Sequence, residues 1–299
     1  MTNKKVLVTG IDGFTGHYVC QELIAAGYNV YGIGKKTIKG VVEIFDVDIT
    51  DYYALSEIVK AVKPDLVVNL AAIAFVNHGN VEDIYKVNLV GCRNLLQALC
   101  ENDVRPSKVL LVSSANIYGN SDAGILDENI VPSPQNDYAI SKYSMELMAR
   151  LWFDKLPIVI TRPFNYTGIG QDEKFLVPKI VSHFTQKKKV IELGNIDVYR
   201  DFSDVRFVAA TYLQLLESDK SSIVVNICSG NDCSLRYIIE VVSRLAGYEI
   251  EVLVNPDFVR SNEIYKLTGD VKKLRTITTT NSIPIEDTLK WMFDSDQFR

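Results

Sequence analysis

Histidine is scarce in this sequence. His17, His78 and His183 are the only three and lie far apart, so no cluster suits a metal ion and no metal site is expected. Cysteine is sparse too. Cys20, Cys92, Cys100, Cys228 and Cys233 are odd in number and include no close-spaced pair of the zinc or redox type, so core packing is their expected role. Long apolar runs are missing. The stretch Leu66 to Val76 is broken by Asn69 and is too short to cross a bilayer. The opening Met-Thr-Asn-Lys-Lys leads straight into a strand pattern without the apolar core of a signal peptide, which points to cytoplasmic residence and no membrane partner. Excess positive charge is absent as well. A net charge of −5 offers no field for nucleic acid, so a nucleotide would have to be held by a local site. No internal repeat and no low-complexity tract is present.

What remains is an ordinary globular balance, 47% hydrophobic and 23% charged, over 299 residues. That length accommodates one α/β domain and a smaller lobe. Lys5 to Thr9, Asn29 to Ile33, Leu66 to Leu70, Val109 to Ser113 and Ile158 to Thr161 read as strands. Between them, Gly16 to Ala26, Tyr52 to Val62, Val81 to Cys100 and Tyr138 to Phe153 read as helices. The strand patterns barely alternate, as in a parallel sheet covered on both faces. An α/β fold with a doubly wound parallel-sheet Rossmann domain is predicted. After Arg162 the rhythm breaks, although Asp204 to Glu217 is helical and Ile223 to Ile227 strand-like. The expected division is a Rossmann NAD(P)-binding domain over 1–165, with 197–228 returning to it. A smaller, discontinuous α/β substrate lobe takes 166–196 and 229–299.

Residues 9–17 read Thr-Gly-Ile-Asp-Gly-Phe-Thr-Gly-His, with Gly10, Gly13 and Gly16 between the first strand and the first helix. The first glycine permits a tight turn, the second lets backbone amides approach a pyrophosphate, and the third lets helix and strand pack closely. The helix start offers unpaired N–H groups to the anion. The loop residues Asp12, Phe14 and Thr15 are expected at the cofactor with the glycines. A dinucleotide fold often carries an acid at the end of the second strand. Here that stretch is Tyr31-Gly32-Ile33-Gly34-Lys35-Lys36, without an acid and with two lysines that suit a 2′-phosphate. NADP(H) is therefore favoured, with NAD(H) possible, and Asp48-Ile49 is placed near the adenine.

Tyr138-Ala-Ile-Ser-Lys142 puts a phenol and an ammonium on one helical face. Free tyrosine titrates near pH ~10, and a nearby lysine is expected to lower that value and make the phenol a usable acid or base. A serine of Ser113-Ser114, at the end of a strand, can donate a hydrogen bond to the oxygen being protonated.

The glycine loop, Asn69-Leu-Ala-Ala72, Ser113-Ser-Ala-Asn-Ile-Tyr-Gly119, the Tyr138/Lys142 pair and Arg162-Pro-Phe-Asn165 follow one another as in the extended short-chain dehydrogenase/reductase family. The resemblance covers essentially the whole chain. It implies Ser114, Tyr138 and Lys142 as the catalytic set, and Gly10 to Gly16, Asp48-Ile49 and Leu70, Ala71 and Ala72 as cofactor contacts. It also implies that Asn88 supports the lysine through water. Ala115 and Asn116 follow Ser114, where the sugar-nucleotide 4,6-dehydratases carry acids, so a dehydratase is disfavoured.

The second lobe resembles the GDP-4-keto-6-deoxymannose reductases at Arg162 to Gly168, Phe175 to Lys179, Arg200 to Arg206, Asn226 to Gly230, Arg260 to Glu263 and Gly269 to Arg275. That likeness implies a nucleotide-diphosphate sugar as substrate, met by Ser114, Asn165, Lys179, Arg200, Arg260 and Glu263. The guanidinium of Arg200 or Arg260 matches phosphate oxygens with two donors. Lys187-Lys-Lys189 and Ser261 depart from that pattern and leave the base, guanine or thymine, open. The expectation is a 4-ketoreductase giving a 6-deoxyhexose for surface polysaccharide. The alternatives are a C4-epimerase with bound NAD and, more distantly, a non-catalytic nucleotide-sensing protein. A homodimer through a four-helix seam of residues 81–100 and 138–153 is also expected, with Leu147, Met148, Leu151 and Trp152 in the second helix.

Overall fold

The strand Lys5–Thr9 (β1) sends Leu7 into one hydrophobic cluster and Val6 and Val8 into another. Successive side chains of an extended chain point to opposite faces, so a strand buried on both reads as one apolar run. This computed structural model describes residues 3–74, 80–121, 124–258 and 264–298. Strands β2 (Asn29–Ile33), β3 (Glu43–Phe45), β4 (Leu66–Asn69) and β5 (Lys108–Val112) join β1 in a seven-stranded parallel sheet, completed by Ile158–Pro163 and Ile223–Ile227. Across the sheet the order is Ile223–Ile227, Ile158–Pro163, β5, β4, β1, β2, β3. The direction of winding reverses at β1, which makes this a doubly wound Rossmann-type α/β fold, as expected. Thr9 is level with Ile33 of β2 and with Asn69 of β4, so a crevice opens at these carboxyl ends.

One face of the sheet is covered by α2 (Tyr52–Val62), Cys92–Glu101 and Asp137–Arg150, through Leu55, Leu95, Leu96 and Met145. The other is covered by α1 (Phe14–Ala25) and Val205–Glu217, through Val19, Leu23, Val208 and Tyr212. All five cysteines are free, and Cys20, Cys92 and Cys228 are buried. No helix among the described residues is long and apolar enough to cross a membrane.

The long helix expected over 81–100 is not uniform. Val81–Tyr85 and Cys92–Glu101 are α-helical, and Lys86–Gly91 between them is a widened π turn. The helix from 138 also ends sooner than expected. Asn136 caps it by accepting from the Ala139 amide at 2.9 Å, and it closes at Arg150. Residues 151–153 then turn more tightly, their amides donating to the third carbonyl back.

A second sheet is built from short, mostly polar strands that the sequence pattern did not disclose. It takes Asp232–Ser234, Tyr199–Asp204, Lys266–Gly269 and Ile125–Leu126, with Asn165–Thr167 beside Tyr199–Asp204. Residues 199–204 were expected to return to the parallel sheet with 197–228. They pair in the second sheet instead, and the return runs through Val205–Glu217 and Ile223–Ile227. There Asp201 is a buried carboxylate that accepts from the amides of Ser229 and Gly230 at 2.8 and 2.9 Å. Leu176–Thr185, Leu235–Ala246 and Ile285–Phe293 form a separate core around Ile180, Phe184, Ile238 and Leu289.

Candidate active site

The loop after β1 is shaped for close approach. Gly10 has φ +64°, and a Cβ there would lie 2.8 Å from the Ala71 amide nitrogen. A Cβ at Gly16 would lie 2.3 Å from the Ile11 carbonyl oxygen. Gly13 precedes α1 in an extended conformation and brings no side-chain cap, so the first amides of the helix are left to an anion. These features fit the pyrophosphate of a dinucleotide. Thr9 Oγ1 donates to Asn69 Oδ1 at 2.6 Å and accepts from the Ala71 amide at 3.2 Å, which fixes Leu70, Ala71 and Ala72 beside the glycines. The Phe14 ring stacks on Tyr166, and Thr15 Oγ1 lies 2.8 Å from the Tyr166 hydroxyl. Tyr166, absent from the sequence reading as an individual residue, thus joins the loop to the strand that begins at Asn165.

The end of β2 brings no acid of its own, but Asp12 reaches it from the glycine loop: its Oδ2 accepts from the Lys35 amide at 2.8 Å. Lys35 and Lys36 are exposed beside it. Asp48 Oδ1 accepts from the amide and hydroxyl of Thr50, both at 2.8 Å, and shapes the turn into α2. The Ile49 side chain is buried against Gly91. Asn94 Nδ2 donates to the carbonyls of Ile49 and Thr50 and holds that turn.

Asn88 lies in the π turn and is buried. Its Oδ1 accepts from the Ile73 amide at 2.9 Å, and its Nδ2 donates to the Ile73 carbonyl at 3.2 Å and to Ser141 Oγ at 2.9 Å. It therefore clamps the chain after β4 to the helix that carries Tyr138. It reaches Ser141, the residue before Lys142.

Ser114, Tyr138 and Lys142 converge beyond the end of β5. Ser114 caps the short helix Ala115–Tyr118, accepting from the Asn116 amide at 3.2 Å. Burial pushes the Tyr138 phenol upward, and hydrogen bonding with Ser114 draws it back in part. The expected lowering by the lysine is not what governs this phenol. Lys142 Nζ donates to the Val112 carbonyl at 2.7 Å, and burial brings its pKa down to about 8 against the opposing pull of Cys92 and Glu146.

Behind these residues runs a buried polar network that sequence reasoning missed. Arg162 donates to both carboxylate oxygens of Glu146 and to the Tyr118 hydroxyl at 2.9 Å. Tyr118 in turn donates to Asn226 Oδ1 at 2.7 Å. The signal was available, since Glu146 continues the Tyr138, Lys142 series one turn further along the same helical face.

The model of the NAD dependent epimerase/dehydratase family matches residues 6–228. The chain belongs to this family. A curated relative, GDP-6-deoxy-D-talose 4-dehydrogenase of Aggregatibacter actinomycetemcomitans, is 34% identical over 276 residues, 91% of this chain and 90% of the relative. A crystal structure from Burkholderia cenocepacia J2315, described provisionally as an epimerase, is 47% identical with a TM-score of 0.92 and covers 97% of each chain. The structure of RMD from Pseudomonas aeruginosa complexed with NADPH is 28% identical with a TM-score of 0.84, covering 97% of this chain and 96% of that one.

In this epimerase/dehydratase-family chain the described substrate candidates other than Ser114 are spread over the second sheet, which carries Asn165 and Arg200, and the helix Leu176–Thr185, which carries Lys179. Asn165 opens the strand Asn165–Thr167, level with Phe202. Lys179 Nζ donates to the Glu192 carbonyl at 2.8 Å and stands over the Phe258 ring. Arg200 Nη1 donates to the carbonyls of Tyr199 at 2.8 Å and Tyr265 at 3.3 Å. Arg260, Ser261 and Glu263 lie outside the described residues, as does His78. Among the described residues no group of three or more His, Cys, Asp or Glu gathers to hold a metal ion.

Proposed function

We propose that this chain is an NADPH-dependent reductase of the C4 keto group of a GDP- or dTDP-linked 4-keto-6-deoxyhexose. It works as a cytoplasmic homodimer and gives a 6-deoxyhexose for surface polysaccharide. The observation that carries this reading is the hydrogen bond between Ser114 and Tyr138 at the end of β5, with Lys142 one helical turn on and tied to Val112, and with Ala115 and Asn116 following Ser114 in the chain. Neither a methyl group nor an amide serves as the general acid and base that a dehydratase adds. The similarity to a GDP-6-deoxy-D-talose 4-dehydrogenase supports redox chemistry at C4.

When bound, a nicotinamide cofactor would supply the hydride for C4. Tyr138, kept protonated by burial, gives its phenolic proton to the C4 oxygen. Ser114 donates a hydrogen bond to that oxygen. The Lys142 ammonium, tied to Val112, favours the phenolate left behind. Gly10 to Gly16 hold the pyrophosphate. Asn165, Lys179, Arg200, Arg260 and Glu263 are proposed to meet the nucleotide sugar. Lys35 and Lys36 favour a 2′-phosphate, in keeping with the NADPH complex of the Pseudomonas relative. The dimer reading rests on apolar side chains left exposed on two neighbouring helices, Val81 and Val90 on one and Ile140 and Leu147 on the other, with Leu151 just beyond.

The Burkholderia similarity favours a second reading, a C4-epimerase that retains NAD. Incubating the protein with GDP- and dTDP-4-keto-6-deoxy sugars and NADPH or NADH, with products read by NMR, separates the two. Net NADPH consumption and a reduced sugar support the reductase. No net consumption, with nicotinamide absorbance in the purified protein, overturns it.

A further inference from the structure

The glycine loop and the end of β2 are built against each other through two missing β-carbons. A Cβ at Gly32 would lie 2.4 Å from Ile11 Cδ1, and one at Gly34 would lie 2.7 Å from Asp12 Oδ1. Both contacts admit side chains of the loop, Ile11 below and Asp12 above. The backbone repeats the union. The Ile11 amide donates to the Ile33 carbonyl at 3.2 Å, and the Lys35 amide donates to Asp12 Oδ2 at 2.8 Å. The half-buried carboxylate of Asp12 is therefore held over the last residues of β2, against Gly34 and Lys35.

That is where a dinucleotide fold sets the acid that receives the ribose 2′-hydroxyl. We propose that Asp12, reaching across from the glycine loop, takes the place of the acid that β2 lacks and moderates the NADPH preference, so that the chain binds NADH as well. The inference rests on the cofactor reading above. Oδ2 is occupied by the Lys35 amide, and Oδ1, over Gly34, is the oxygen offered to a ribose hydroxyl. A carboxylate accepts a hydrogen bond from the 2′-hydroxyl of NADH and repels the charge of a 2′-phosphate. Lys35 and Lys36 attract that phosphate from exposed positions, where salt screens them. The three charges act on one position in opposite senses.

Asp12→Asn keeps an acceptor for the Lys35 amide and removes the charge. The dissociation constants of NADPH and NADH are measured by their fluorescence, and those of 2′,5′-ADP and 5′-AMP by calorimetry, at low and high salt. In the unaltered chain the two reduced cofactors are expected to bind within about tenfold of each other. Asp12→Asn is expected to tighten NADPH and 2′,5′-ADP by about threefold and weaken NADH by about tenfold, with the NADPH effect shrinking in high salt. An unchanged ratio, or equal weakening of both cofactors, overturns the proposal and leaves Asp12 as a tether for the loop. The double variant Lys35→Ala with Lys36→Ala tests the underlying reading separately. If it leaves NADPH affinity unchanged, the two lysines do not meet a 2′-phosphate, while the response of NADH to Asp12→Asn still decides the role of Asp12.

Discussion

Arg162 grips Glu146 with two nitrogens, Nε 3.0 Å from Oε1 and Nη2 2.8 Å from Oε2, and both side chains are almost wholly buried. The pair ties the helix Asp137–Arg150 to the strand Ile158–Pro163. Removing one partner leaves a charge without compensation in the interior. Glu146→Leu is expected to lower stability by ~3–5 kcal/mol, and adding Arg162→Met to restore a large part of it. Urea midpoints of the single and double variants check this, and a double variant no better than the single contradicts it.

Tyr138→Phe is expected to reduce turnover by ~10²–10⁴-fold, the usual cost of losing a general acid. Cofactor affinity should hold, because the ring still packs where it did. Steady-state rates together with cofactor titration test both halves. Near-unaltered turnover would remove Tyr138 from its role.

Lys142 gives a pH dependence of stability opposite in sense to that of a lysine with an ionic partner. Burial brings it to about 8 in the folded chain, against an ordinary 10.5. Between those values the unfolded chain binds the proton and the folded chain does not, so this group makes stability rise with pH across that window. Below the window it contributes a constant deficit. Lys142→Met should therefore be the more stable protein at neutral pH, with the difference narrowing from about pH 8 towards 10.5. Denaturation midpoints of the two proteins, compared at matched pH, test the narrowing.

Asn88→Ala removes three hydrogen bonds of a buried side chain at once, two part-buried ones to Ile73 and a buried one to Ser141. A loss of ~1–3 kcal/mol or more is expected from the unsatisfied groups. The chain after β4 should also loosen, and cofactor affinity fall with it. Unchanged affinity and an unchanged melting temperature would show that the clamp is idle.

Leu147 and Leu151 are exposed, whereas Met148 and Trp152 of the same stretch pack on the protein's own core. Leu147→Glu with Leu151→Glu is expected to give a folded monomer by light scattering at micromolar concentration. A monomer already in the unaltered chain would refute the dimer.

The parallel sheet, the glycine loop and the Ser114, Tyr138, Lys142 group were legible in the sequence because each depends on residues close in the chain or on an apolar run. Asp12 was legible as a loop residue, but its direction was not, since that depends on a missing Cβ at Gly34. Asn88 was noticed, but its direct hold on Ile73 and Ser141 was not legible, because the π turn that aims it leaves no mark in the helical pattern. The second sheet escaped notice altogether. Its strands are short and mostly polar, and the two-residue Ile125–Leu126 finds its partner only at Thr268 and Gly269.

Phe164 is the single residue between two strands of different sheets. Before it, Pro163 is level with Ile227 in the parallel sheet; after it, Asn165 is level with Phe202 in the second. Phe164 itself is buried, and its amide donates to the Ile227 carbonyl at 2.9 Å. At the next crossing, Asp204 ends a strand of the second sheet and directly caps the helix that returns to the first. A hinge needs residues whose backbone angles are free to turn, and neither crossing has one to spare. The two sheets behave as parts of one chassis. Heat or denaturant should take both sheets down in a single cooperative step.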